Sequence, residues 1–152
     1  MANVNHSTLT DPYLHEPKGA ASASSGDVYV ANGAGSGAWT SRQQLITVHF
    51  SDISTAGDIY VPILYDGTVV KIQSVLSGAI AGADAVFTVY NNGGSSMGTL
   101  TVTQSGSAAG DIDTLNPSSN NVITAPSYIR INCDGGPSSH VDTVIVIAMD
   151  GA

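Results

Sequence analysis

Cysteine occurs once in this chain of 152 residues, and lysine and arginine together only four times. Each scarcity excludes a class of protein. The lone Cys133 permits no internal disulfide and no cysteine-rich zinc site. Four cations against twelve carboxylates give a formal net charge of -8, the wrong sign for gripping nucleic acid or an anionic membrane surface. No apolar run approaches the roughly 20 residues that a membrane-spanning helix requires. The opening, Met1-Ala2-Asn3-Val4-Asn5-His6, has neither the basic start nor the hydrophobic block of a secretory signal, which predicts a chain that folds in the cytoplasm of its producer. Helical periodicity is missing too: the best window, 77–85, holds Gly78 and Gly82.

What is present points to strands. Hydrophobic residues make up 42% and charged residues 11%, with 17 glycines, so solubility rests on uncharged polar side chains. Ile46, Val48 and Phe50 alternate with Thr47, His49 and Ser51, the period-two pattern of a half-buried strand. Similar runs follow at 58–65, 67–78, 85–91, 98–103, 110–115, 127–133 and 141–149. Turn signals separate them, among them Asp66-Gly67, Asn91-Asn92-Gly93-Gly94, Asn116-Pro117 and Asp134-Gly135-Gly136-Pro137. The spacing predicts an all-β fold over residues 42–152, an antiparallel jelly-roll β-sandwich of about eight strands. The rival, an immunoglobulin-like sandwich, lacks support: there is no cysteine pair, and the sole Trp39 lies outside the strand region. Strict alternation also sets Tyr60, Leu64, Val70, Ile72 and Leu76 out of phase with Ile59, Val61, Ile63, Val69 and Val75. Apolar residues on both faces of a strand suggest packing between subunits.

Residues 1–41 contain little that could form a core. The stretch 19–40 is dominated by Gly, Ala and Ser, too small-sided to offset its own chain entropy, so an extended N-terminal arm is expected. Within it, Val28-Tyr29-Val30, the glycine-rich turn after Asn32-Gly33, and Ala38-Trp39-Thr40 predict a short β-hairpin. Ahead of the hairpin, Asp11-Pro12-Tyr13-Leu14-His15-Glu16-Pro17-Lys18-Gly19 is the non-repetitive stretch: two prolines pre-set the backbone, Tyr13 and Leu14 are apolar anchors, and His15, Glu16 and Lys18 are polar.

Residues with catalytic or metal-binding chemistry are few. His6 and His15 lie in the arm, where no scaffold would hold them to catalytic tolerance. His49 falls on the polar side of a strand, and His140 follows Ser138-Ser139 with Asp142 nearby, a pattern ordinary turn chemistry also produces. Asp111 and Asp113 would share a strand face, as the paired carboxylates of a glycosidase require, or simply solvate an edge strand. Asp134, Asp142 and the carbonyls around Gly135 and Gly136 could hold calcium, but the alternating pattern of a calcium loop is missing. Cys133 continues the inward set Ile129, Ile131 and reads as a small core residue. Gly33 to Gly37 lacks the Gly-Lys-Ser ending of a phosphate cradle. No catalytic residue, metal site or cofactor is therefore expected, and the chemistry left is binding.

Two segments carry a resemblance. Leu14-His15-Glu16-Pro17-Lys18-Gly19, followed by Gly26-Asp27-Val28-Tyr29-Val30-Ala31-Asn32-Gly33 and on to Trp39, resembles the N-terminal region of tailed-bacteriophage virion proteins, in particular head decoration (cement) and head-fibre proteins. In the body, Gly67-Thr68-Val69-Val70-Lys71-Ile72, Ala81 to Val89 and Gly106 to Asp111 are similar to jelly-roll modules of such proteins, motifs that recur in tail fibres too.

The resemblance implies a non-enzymatic virion component on the capsid exterior, commonly a homotrimer, whose N-terminal region grips the major capsid protein. Carried onto this sequence, it assigns capsid contact to Tyr13, Leu14, His15, Glu16, Pro17 and Lys18. It assigns Val28, Tyr29, Val30 and Trp39 to a hairpin in contact with capsid or a neighbouring subunit. The alternative is a receptor-binding tail or fibre module that recognises host-surface glycans through Tyr65, Tyr90, Tyr128 or loop aspartates.

Overall fold

The computed structural model describes residues 23–24, 26–34 and 37–151, and every helix or strand among them is a β-strand. The chain divides between Arg42 and Gln43 into two units. The first carries a hairpin of β1 (Val28–Ala31) and β2 (Gly37–Thr40). The second carries β3 (Gln43–Phe50), β4 (Gly57–Ile63), β5 (Gly67–Leu76), β6 (Ala85–Asn91), β7 (Ser96–Val102), β8 (Ile112–Leu115), β9 (Val122–Ile123), β10 (Ser127–Cys133) and β11 (Thr143–Gly151).

In the body, the order of pairing defines the fold. β3 pairs with β11, β4 with β10, β5 with β8 and β9, and β6 with β7, first strand with last and so on inward. The chain is thus one long antiparallel ribbon, doubled back at the β6–β7 turn. Rolling the ribbon brings β11 beside β5 and β10 beside β6. Two sheets result, a five-stranded one ordered β3-β11-β5-β8 with β9 also on β5, and a four-stranded one ordered β4-β10-β6-β7. This winding is a jelly roll.

The expected strand runs are all present, and β9 is an addition. It is two residues long and follows the loop 116–121, so its sequence reads as a turn. Asn121 stitches that loop to β5: its Nδ2 donates to the Val69 carbonyl at 2.8 Å, and its own carbonyl accepts the Val69 N–H at 2.9 Å.

The core between the sheets is mainly aliphatic, with Ile53, Ile63, Ile72, Leu100 and Ile129 fully buried around the ring of Phe87. Strict alternation misplaces part of β5. Lys71 stands opposite Ala148 and Val69 opposite Met149, so Val70 is an extra residue. This bulge sends both Val70 and Lys71 outward and lets Val69, Ile72 and Leu76 all face the core. Ile72 and Leu76 are therefore core residues, contrary to the pattern, while Val75 turns outward. In β7 the register also shifts, with Gly98 opposite Val89 and Ser96 opposite Tyr90, and Met97 and Leu100 are both buried as a result.

Candidate functional site

Tyr13, Leu14, His15, Glu16, Pro17 and Lys18 lie outside the described residues. The hairpin residues are all placed. Tyr29 stands directly opposite Trp39, and their rings meet edge to face with centroids 5.3 Å apart. Val28 and Val30 occupy the other face, 42% and 52% exposed. The Asn32 carboxamide oxygen accepts the Ala34 N–H at 2.9 Å and turns the chain, and Gly33 takes a φ of 74° there. The expected hairpin is thus formed, and the structure adds the ring contact of Tyr29 with Trp39 across it.

At one end of the sandwich, the loops after β3 and before β11 bring together residues that are far apart in sequence. His140 Nδ1 lies 3.2 Å from Asp52 Oδ2, and its Nε2 lies 3.8 Å from Asp142 Oδ1. His49 Nε2 lies 3.6 Å from the other oxygen of Asp142. The Ser54 hydroxyl at 2.6 Å and the Ser54 N–H at 2.9 Å donate to Asp52 Oδ1, and these bonds hold the Asp52 carboxyl below its ordinary range. His49 and Asp52 also line a cleft of ≈ 340 Å³ beside Phe50 and Asp58. The serines that precede His140 bind elsewhere: Ser138 Oγ donates to the Ala81 carbonyl at 3.2 Å, and Ser139 Oγ accepts the Ala81 N–H at 2.9 Å. Asp52 is a member of this group that the sequence pattern did not single out.

The other candidates separate. Asp111 caps its own turn by accepting the Ala108 N–H at 2.7 Å. Asp113 lies on edge strand β8 opposite the buried Ser74, and burial, then the charge of Asp111, push its carboxyl up. Asp134 Oδ1 accepts the N–H groups of Val86 at 2.9 Å and Gly136 at 3.0 Å, tying its loop to β6. Cys133 is buried in the core, as its inward phase predicts, and burial raises its thiol. Among the described residues, no group of three or more His, Cys, Asp or Glu side chains is arranged to hold a metal ion.

The tyrosines fall on one sheet. Tyr60, Tyr128 and Tyr90 sit on the outer face of the four-stranded sheet, with Arg130 opposite Tyr60 on one side and Tyr90 on the other. The sequence marked Tyr60 only as a surplus apolar residue suited to subunit packing and did not mark Arg130, because their meeting depends on the register of strands far apart in the chain. Tyr65, 58% exposed, follows β4. The outer face of the five-stranded sheet differs: a row of His49, Val144, Val75 and Ile112 runs beside a row of Thr47, Val146, Gln73 and Thr114.

No protein-family model and no curated protein matches this chain. Among solved structures, it is similar to a chain of the cyanophage Pam1 capsid asymmetric unit, with a TM-score of 0.48, 10% identity, and coverage of 74% of this chain and 87% of that one. It is also similar to a chain from Bacillus endospore appendages, described as disulfide-linked pili, with a TM-score of 0.39, 14% identity, and coverage of 74% and 90%. At these scores neither likeness assigns a function.

Proposed function

We propose that this chain is a virion structural protein that attaches to the outside of a phage capsid through its N-terminal region and carries the jelly roll as a homotrimer. In this reading Tyr13, Leu14, His15, Glu16, Pro17 and Lys18 contact the major capsid protein, and Val28, Tyr29, Val30 and Trp39 contact capsid or a neighbouring subunit. The protein acts mechanically, without catalysis, metal or cofactor, by reinforcing the shell or displaying its body.

The observation that carries the reading is how the chain divides its apolar residues. Among the described residues, every member of the buried core cluster lies between Val48 and Met149, so the sandwich closes around its own sequence. The first unit instead holds a two-stranded hairpin with exposed valines, a structure too small to be stable unaided in water. Its leader is the segment that resembles virion attachment regions. Three such arms on one trimer would make each later contact effectively intramolecular. Many copies at -8 each would give a particle a mutually repelling exterior.

The outer face of the five-stranded sheet suits the contact between copies. Its central strands β11 and β5 present Val144, Val146, Val75 and Gln73 there, and edge strand β8 adds Ile112 and Thr114, none with a formal charge. To test attachment, capsids lacking the protein are mixed with the full chain or with a chain lacking residues 2–19. The full chain is expected to load, and the shortened chain to stay in solution with an unchanged circular dichroism spectrum. Equal loading defeats the arm assignment, and a monomer in sedimentation at micromolar concentration defeats the trimer.

A further inference from the structure

On the outer face of the four-stranded sheet, planar polar groups and exposed aromatic rings are locked side by side. The Arg130 guanidinium carbon lies 4.1 Å from the centre of the Tyr90 ring. Arg130 Nη1 lies 3.6 Å from Asp58 Oδ2, and Asn132 Nδ2 donates to Asp58 Oδ1 at 2.9 Å. Beside them the Tyr60 and Tyr128 rings meet edge to face, centroids 5.3 Å apart, while remaining 56% and 38% exposed. The Tyr128 hydroxyl reaches the Asn92 carbonyl at 3.4 Å.

We infer that this face is a carbohydrate-binding platform, on which a neutral hexopyranose oligosaccharide stacks against Tyr60 and Tyr128 and hydrogen-bonds to Arg130, Asp58 and Asn132.

A pyranose with mainly equatorial hydroxyls is amphipathic, with an apolar C–H face and a rim of donors and acceptors. Its complement is an exposed aromatic ring next to polar groups lying in fixed planes. Arg130 brings five N–H donors, and Asn132 brings both a donor and an acceptor, more than their mutual contacts consume. Because Asp58 holds both and Tyr90 backs the guanidinium, little side-chain freedom remains to be lost on binding.

Charge selects the class of sugar. Arg130 is the only lysine or arginine in the strands of this sheet, and Asp58 neutralises it. A polyanionic glycan would find no second lysine or arginine in the strands of this sheet to pair with. A second copy of the chain is a poorer occupant, since it would desolvate the Asp58–Arg130 pair. The inference does not depend on capsid attachment, and its test is made on the free protein.

Full-length protein is titrated by calorimetry with cellohexaose, mannohexaose and maltohexaose, and with hexagalacturonate as the anionic probe. At least one neutral hexasaccharide is expected to bind with a Kd between about 10 μM and 1 mM, a range ordinary for a shallow site of this size. Tyr60→Ala and Tyr128→Ala should each weaken it by up to about tenfold, the upper end of what one aromatic contact contributes. Tyr60→Phe keeps the ring and should keep binding, which separates loss of the stacking surface from loss of the fold. Leu45→Ser, on the other sheet, should change nothing. Absence of binding by every neutral probe at about 5 mM overturns the inference. So does binding of hexagalacturonate alone, binding indifferent to both tyrosines, or a fall in sedimenting mass in the alanine variants, which would make the face a subunit contact.

Discussion

Phe50 and Phe87 meet edge to face across the interior of the sandwich, with ring centroids 5.2 Å apart and planes at 62°. Phe50 comes from β3 of the five-stranded sheet and Phe87 from β6 of the four-stranded one, so the pair ties the two layers together. Phe87 has no exposed surface. Phe87→Ala therefore removes a ring from a closed core and leaves a cavity, a change that costs about 3–5 kcal/mol. Urea denaturation measures it, and a loss below about 1 kcal/mol would show that the sheets do not close on this residue.

Gly135 and Gly94 both have φ in the left-handed region, 72° and 78°, but their surroundings differ. A Cβ on Gly135 would stand 2.5 Å from the Ala56 nitrogen and 3.0 Å from the Thr55 carbonyl carbon, whereas one on Gly94 meets nothing within 4 Å. Gly94→Ala should cost only the conformational penalty of about 1–2 kcal/mol. Gly135→Ala should cost that and more, because main chain must move to admit the methyl group. Equal losses in thermal unfolding would place the two loops further apart than the structure has them.

Two aspartates should shape the acid limb of stability with opposite signs. The Ser54 hydroxyl, then the Ser54 N–H, lower the Asp52 carboxyl from 3.8 in the fold. That contribution is present above the unfolded value and is lost as pH falls through the lower folded one. Burial, then Asp111, raise the Asp113 carboxyl from 3.8, so its ionisation opposes folding above the folded value and costs nothing once the group is protonated in both states. Asp52→Asn should lower stability at neutral pH and flatten its decline below about pH 4. Asp113→Asn should raise stability at neutral pH and confer no gain near about pH 3. Matching pH profiles for the two variants would contradict both assignments.

Local pattern made the jelly roll legible, and distant register hid most of the rest. The alternation of Ile46, Val48 and Phe50 with polar neighbours marks a strand that needs no partner to be recognised. The inward turn of both Val69 and Ile72 depends on a bulge against β11, and nothing in Val69-Val70-Lys71-Ile72 distinguishes that from an unbroken strand. The hairpin that sets Tyr29 opposite Trp39 was readable because its two strands flank one turn. Arg130 between Tyr60 and Tyr90 was not, since each neighbour comes from a separate turn of the roll. Likewise, His140 was visible beside Asp142 in sequence, but its nearer carboxylate is Asp52, supplied by the loop after β3.

Leu45 and Ile112 stand near opposite edges of the five-stranded sheet, 68% and 60% exposed, with their side chains on its outer face. Neither supports the core, so an exposed polar replacement at each should leave folding within about 0.5–1 kcal/mol of the original. If copies of the chain meet through this face, an aspartate at either position must be desolvated against apolar Val75, Val144 and Val146 of a neighbour. The double variant Leu45→Asp, Ile112→Asp is therefore expected to sediment as a monomer under conditions where the parent is a trimer, with the same urea midpoint for the body. Tyr60→Ala, on the opposite sheet, should leave the trimer intact. A double variant that still assembles would move the subunit contact away from this sheet, and one that fails to fold would show that Leu45 and Ile112 belong to the core.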